Sequence, residues 1–175
     1  MIVVSDSTPL IHFAKAGRLD ILFILYNKIL ITEEVYSEVV EKGLILEKED
    51  AVIIKEHIGK RIQIKNPSSS SMHIIRKYSI HKGEAESIQL ALEINALFLM
   101  NERDGRNAAK SEGIKVKGSI GVLFDAFREG VIDEEEALNV LSRFRKDPHN
   151  FWIEPDIIKV AMGLSRCIIR AVRLL

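Results

Sequence analysis

Three apolar runs stand out along the chain because no polar residue alternates within them: Ile2–Val4, Ile29–Ile31 and Ala96–Met100. Unbroken runs of this length fit strands buried on both faces of a parallel sheet. Two shorter runs, Ile62–Ile64 and Ile114–Val116, fit the same pattern. Between them, apolar residues recur at helical spacing. The predicted helices are Leu10–Ala16 (closed by Gly17), Leu19–Tyr26, Val35–Val40 (behind Thr32 as N-cap and stopping near Gly43) and Lys48–Ile58. Met72–Tyr78, Glu84–Ile94, Arg106–Glu112, Ile120–Arg128 and Glu134–Phe144 follow, the last behind Asp133. Val35 with Val39, and Tyr36 with Val40, make i,i+4 pairs for a core-facing side, as do Ala85, Ile88, Ala91 and Leu92 later on. The serine tract from Asn66 to Ser71 reads as a surface loop. Short strands separated by helices predict an α/β fold with a doubly wound parallel sheet flanked by helices.

Composition narrows the function classes. At 175 residues the chain can form one domain with a sizeable core plus a modest extension. The domain is expected over 1–150. A terminal amphipathic helix is expected over 151–175, with Ile157, Val160, Leu164 and Ile168 opposed to Arg166, Arg170 and Arg173. That helix fits packing on the domain or on a second copy better than docking of nucleic acid. The 25 basic and 25 acidic residues cancel, which argues against wholesale electrostatic binding of nucleic acid and leaves room only for a local basic patch. A single cysteine, Cys167, excludes an intrachain disulfide framework and a cysteine-rich zinc site. No secretory leader and no membrane-spanning run is visible, so a soluble, cytoplasmic protein is expected.

The candidate chemistry lies at strand ends. Asp6 follows the first run directly, with Thr8 and Pro9 predicted as N-cap and first helical residue. Asn101-Glu102-Arg103-Asp104 follows the third long run. If those two strands are neighbours at the switch point of the sheet, both acidic segments open into one crevice. Glu38, beside the apolar stripe of its helix, and Glu84, opening another helix, belong near the same edge. Four carboxylates so placed call for a counter-charge, and a hard divalent cation, Mg²⁺ or Mn²⁺, is the usual one. Such a site suits phosphodiester hydrolysis. Arg103, Arg106 and Lys110 share a helical face at i, i+3 and i+7, where they would hold phosphates without reading bases; Lys82, Lys115 and Lys117 are neighbours by position. Taken singly, each residue also has a plainer role: Glu38 and Glu84 as exposed helix acids, Asp104 as the cap of a helix at Arg106. The five histidines, His12, His57, His73, His81 and His149, show no metal spacing and read as structural or surface residues. No glycine-rich phosphate loop follows a strand, and no nucleophile elbow is present.

In order along the chain, Val3-Val4-Ser5-Asp6-Ser7-Thr8-Pro9-Leu10-Ile11, Val35-Tyr36-Ser37-Glu38-Val39-Val40 and Gly83-Glu84-Ala85-Glu86-Ser87-Ile88 resemble the PIN-domain family. So do Asn101-Glu102-Arg103-Asp104-Gly105-Arg106 and Val116-Lys117-Gly118-Ser119-Ile120-Gly121. The nearest branch holds prokaryotic proteins related to VapC-type toxin ribonucleases, and the resemblance spans about residues 2–145. It implies an α/β/α fold with a C-terminal helical extension and a Mg²⁺- or Mn²⁺-dependent endoribonuclease. The acidic quartet it implies falls on Asp6, Glu38, Glu84 and Glu102, with Asp104 as the other candidate for the fourth ligand and Ser7 or Thr8 assisting near the first acid. Glutamate stands at positions 84 and 102 where relatives usually carry aspartate, and Met100 replaces their hydroxyl. The resemblance further implies single-stranded RNA as substrate, an antitoxin protein as partner, homodimer formation and a toxin or RNA-processing role. The competing reading is a catalytically weak module of the same fold that binds RNA or a protein. A phosphatase with Asp6 as nucleophile ranks last, because Thr8 stands where its second acid belongs.

Overall fold

A computed structural model describes residues 2–146 of the chain. Two compact units divide it, Met1–Ser119 and Ile120–Leu175. The expected domain end at 150 and the helix over 151–175 lie outside the described residues.

The first unit holds five parallel strands: β1 (Val3–Ser5), β2 (Ile29–Ile31), β3 (Ile62–Ile64), β4 (Leu97–Leu99) and β5 (Val116–Lys117). Their spatial order is β3-β2-β1-β4-β5. The chain therefore grows outward from β1 in one direction through β2 and β3, then returns to start again at β4. Right-handed crossovers in opposite directions put their helices on opposite faces. The first group is α1 (Ser7–Lys15), α2 (Asp20–Tyr26), α3 (Glu33–Tyr36), α4 (Gly43–Ile45) and α5 (Glu49–His57), with α1 packed on α5. The second is α6 (Met72–Tyr78), α7 (Lys82–Glu93) and α8 (Arg103–Ser111), with α7 lying on β1 and β4. This is the doubly wound α/β/α arrangement expected from the pattern of strands and helices, and β1 and β4 flank its switch point.

Alternation along β1 and β4 divides the core. Val4 and Phe98 face Ile88, Ala91 and Ala108, all essentially without exposure, whereas Val3 belongs to the opposite face. Register pairs Val3, Val4 and Ser5 with Leu97, Phe98 and Leu99. The Asp6 amide then donates to the Leu99 carbonyl at 2.9 Å. Asp6 therefore leaves the sheet as the ladder ends.

Several local expectations shift. Helix α1 starts at Ser7, so Asp6, not Thr8, takes the N-cap position, and Pro9 sits inside the first turn. A proline is tolerated there because amides of the first turn have no helical acceptor. Thr32 does cap α3, accepting from the Val35 amide at 3.3 Å. The helix does not stop at Gly43. It passes through a π-helical turn, Ser37–Lys42, and continues to Ile45. Val35, Val39 and Val40 are buried as expected, and Tyr36 is half-buried. Gly43 is helical with φ −62°, and its role is close packing: a Cβ there would lie 2.6 Å from Cβ of Ala51. Gly43→Ala is thus expected to lose about 1–3 kcal/mol by overpacking, although alanine is the better helix former by about 1 kcal/mol. A urea midpoint equal to or above wild type would contradict that packing. In α7 the buried stripe is Ala85, Ile88 and Ala91, while Leu92 is 40% exposed.

The described part of the second unit comprises α9 (Ser119–Arg128) and α10 (Glu134–Lys146). Asp133 caps α10 as expected: its carboxylate accepts from the Glu136 amide at 2.8 Å, and Glu136 accepts from the Asp133 amide at 3.3 Å. No helix among the described residues is long and apolar enough to cross a membrane.

Candidate metal centre and nucleic-acid interface

The carboxyl ends of β1 and β4 open at the switch point, and the acids gather there from four segments. Asp6 is buried at the end of β1, at 7% exposure. Burial pushes its carboxyl up to about 7, and the charges of Glu38 and Glu84 push in the same direction. The Ser7 and Thr8 amides at the start of α1 pull it part-way back without a capping hydrogen bond. Ser7 is itself buried, and its hydroxyl donates to Glu38 Oε2 at 2.6 Å. That bond fixes the carboxylate that the π-helical turn presents, joining α1 to the segment after β2. π turns are rare and concentrate at functional sites. This one carries the second candidate acid.

Glu84 sits at the start of α7 in a capping box with His81, its Oε2 accepting from the His81 amide at 3.0 Å. The helix therefore begins at Lys82, two residues before the expected start. Glu84 is half-buried, and burial raises its carboxyl, with the Glu102 and Asp104 charges adding to the effect. Gly105 lets the carboxylate approach: a Cβ at that position would stand 2.9 Å from Glu84 Oε1 and would strike Met100 Cε. Met100, fully buried, packs beneath this corner. Glu102 occupies the N-cap position of α8 and Asp104 its first turn, and both are exposed. Asp104 is therefore not the helix cap. Asp6 thus feels Glu38 and Glu84, and Glu84 in turn feels Glu102 and Asp104. The five acids form one electrostatically linked series along a single edge.

The donor set fits a hard divalent cation. It offers only carboxylate oxygens, and Asp6 and Glu84 are raised by burial first and by neighbouring negative charge second. Among the described residues no three of these acids stand close enough together to hold a metal ion between them. Mg²⁺ keeps several waters and is often bound through one or two carboxylates, so an open set suits it.

The basic residues separate. Arg103 and Lys110 are exposed on α8 and make no hydrogen bond or ion pair among the described residues. Arg106 turns inward and donates to the Met100 carbonyl at 3.2 Å, passing so close to Gly118 that a Cβ there would lie 2.5 Å from its Nη1. Lys82 is engaged with Glu34 at 3.0 Å and Glu86 at 3.6 Å. Thr8 is half-buried on the first turn of α1, and Lys115 is exposed just before β5.

One group escaped the sequence reading. Asn101, the first residue past Met100, does not face the acids. Its Nδ2 lies 2.9 Å from Ser119 Oγ and 3.0 Å from His12 Nδ1, and its Oδ1 accepts from the Ser119 amide at 2.8 Å. His12 is fully buried, and burial with the nearby Lys15 charge lowers its imidazolium to about 3, so the neutral ring can accept at Nδ1. The strand register held the clue. Leu99 pairs with Lys117, so positions 101 and 119 leave adjacent strands at equal distances. Asn101→Ala removes the acceptor of the Ser119 amide, while Ser119 Oγ and His12 Nδ1 keep each other at 3.2 Å, and is expected to cost about 1–3 kcal/mol. A denaturation midpoint within error of wild type would refute this anchoring role.

A sequence model described as DUF3368: PIN domain matches residues 2–166. The chain belongs to the PIN-domain family. PIN domains are generally nucleases and typically use divalent metals. Among solved structures, this PIN domain is similar to a PilT N-terminus domain protein from the hyperthermophilic archaeon Sulfolobus solfataricus P2. Identity is 20%, the TM-score is 0.45, and the match covers 73% of this chain and 94% of the other. No curated protein matches the chain.

Proposed function

We propose that this PIN domain is a Mg²⁺- or Mn²⁺-dependent endoribonuclease acting on single-stranded RNA, as a toxin with an antitoxin partner or in RNA processing. The observation that carries the reading is the convergence of buried Asp6, exposed Glu38 and half-buried Glu84 at the switch point of the sheet. Asp6, Glu38 and Glu84 would hold the ion, with Glu102 or Asp104 completing the set. Bound there, the ion would polarise a phosphoryl oxygen and supply hydroxide at neutral pH. The chain's own groups do the remaining work. Ser7 orients Glu38 through its 2.6 Å hydrogen bond. Arg103 and Lys110 take substrate phosphates, and Arg106, fixed on the Met100 carbonyl, sets the position of α8 behind them.

The test is cleavage of a labelled single-stranded RNA by the full-length protein. Cleavage is expected with Mg²⁺ or Mn²⁺ and none in excess EDTA. Undiminished cleavage in EDTA would refute the mechanism. One observation favours a second reading, a weakly catalytic RNA- or protein-binding module: the residue immediately past Met100 is an amide turned away from the acids, and the carboxylates that follow it are exposed. Calorimetry with Mn²⁺ separates the two, since only the nuclease reading requires saturable binding.

A further inference from the structure

A cleft of about 650 Å³ opens in the first unit, between α3 with the π-helical turn and the 66–71 loop with the starts of α6 and α7. That volume suits a small ligand. Its lining charges are lopsided. Glu33, Glu34, Glu41 and Glu86 contribute four carboxylates against the single ammonium of Lys82, a formal balance of −3. Lys82 is shared by Glu34 and Glu86, so it satisfies neither fully. Glu33 and Glu41 have only neutral partners, the Asn66 amide at 3.4 Å and the Ser37 hydroxyl at 2.5 Å.

Two further features point to a ligand with a hydrocarbon part. Met72, 49% exposed, and Ile75 line the same cleft, next to the half-buried Tyr36 ring. Ser71 lines it as well. It is only 8% exposed, yet its side chain makes no capping bond to α6 and no other hydrogen bond among the described residues. With no protein partner among those residues, this hydroxyl is open to an occupant of the cleft.

We propose that this cleft binds an organic cation: an aliphatic chain ending in a primary ammonium or guanidinium group. The hydrocarbon lies on Met72 and Ile75, the charged end donates charge-assisted hydrogen bonds to the carboxylates of Glu33, Glu41, Glu34 and Glu86, and Ser71 accepts a further N–H. Tyr36 offers its ring face to the same charge. A phosphate or nucleotide meets repulsion here, and the apolar Met72 and Ile75 offer a bare metal ion nothing to bind. Both a free polyamine and a lysine or arginine side chain of a partner protein carry this chemistry.

Calorimetry on the full-length protein tests the proposal, with spermidine and N-acetyl-argininamide as separate probes. Saturable binding of at least one is expected. Removing two carboxylates in Glu34→Gln/Glu86→Gln should weaken it about tenfold or more. Lys82→Gln should tighten it, by about three- to tenfold, because the ammonium that occupies Glu34 and Glu86 is removed. Tightening is a response that mere loss of structure does not produce. Saturation by spermidine alone assigns a free polyamine, and saturation by the argininamide alone assigns a protein side chain. The absence of saturation by either probe at millimolar concentration, or weaker binding in Lys82→Gln, overturns the proposal. The readout is binding heat and not RNA cleavage, so this result and the nuclease reading stand or fall separately.

Discussion

Asp6→Asn is expected to abolish metal-dependent RNA cleavage and, in the same protein, to raise stability at neutral pH in EDTA. The loss follows from position. Asp6 is the most buried acid of the series and the one that feels both Glu38 and Glu84. Removing the charge that anchors the ion should lower kcat/KM by roughly 10³-fold, on the order of 4 kcal/mol of transition-state stabilisation. The stability gain follows from linkage. The ordinary Asp6 value of 3.8 governs the unfolded chain, and about 7 governs the metal-free fold. Between those values the native state holds the proton more tightly than the unfolded state does. Metal-free stability therefore falls as pH rises from about 4 to about 7, by a few kcal/mol in all, and then levels off. Asparagine carries no such penalty. Urea denaturation in EDTA at pH 5 and pH 8 should show a loss on going up in wild type and a much smaller one in the variant. Added Mg²⁺ should recover stability at pH 8 in wild type only. A variant that is inactive and also less stable at pH 8 would mean that Asp6 serves the fold and not the ion.

Glu84→Gln carries the second largest expected effect. It links the two halves of the acidic series, sensing Glu102 and Asp104 while raising Asp6. The amide can still accept from the His81 backbone, so the start of α7 is retained. Cleavage should fall about 10²–10³-fold with little change in melting temperature. Glu102→Gln and Asp104→Asn tell a different story. Both acids are exposed at the start of α8, and either can face an ion near Glu84. Each single change should cost about tenfold or less, and the double change about as much as Glu84→Gln, because residues serving one ion are not additive. Activity within a few-fold of wild type in Glu84→Gln would remove it from the ligand set.

The framework was legible because its strands are short unbroken apolar runs, and nothing polar interrupts Ile2–Val4, Ile29–Ile31 or Ala96–Met100. Helix starts were harder to place. Asp6, Ser7, Thr8 and Pro9 are all good residues for a helix amino terminus, and which one becomes the N-cap is settled by where β1 must stop pairing with β4. The π-helical turn has no sequence signature of its own. It arises from fitting Val39 and Val40 into the core while Glu38 meets Ser7, two demands made by distant segments. Asn101 was passed over because an asparagine after a strand reads as an ordinary turn residue, and its partners lie 89 and 18 positions away. The acidic cleft was beyond reach for the same reason: its walls come from separate stretches, each of which reads locally as a solvated face.

The π-helical turn also makes the length of this segment matter. A regular α-helix advances 100° per residue, so deleting one residue between Thr32 and Gly43 would allow a continuous α-helix with normal hydrogen bonding throughout. The valines could keep their places in the core only if the residues on one side of the deletion rotated by that amount, and Glu38 would swing away from Ser7. Such a chain would gain in helical regularity and lose its second acid. Insertions and deletions here are therefore more damaging than most substitutions. Related chains that keep the site should keep the residue count of this stretch even where the residues themselves have changed.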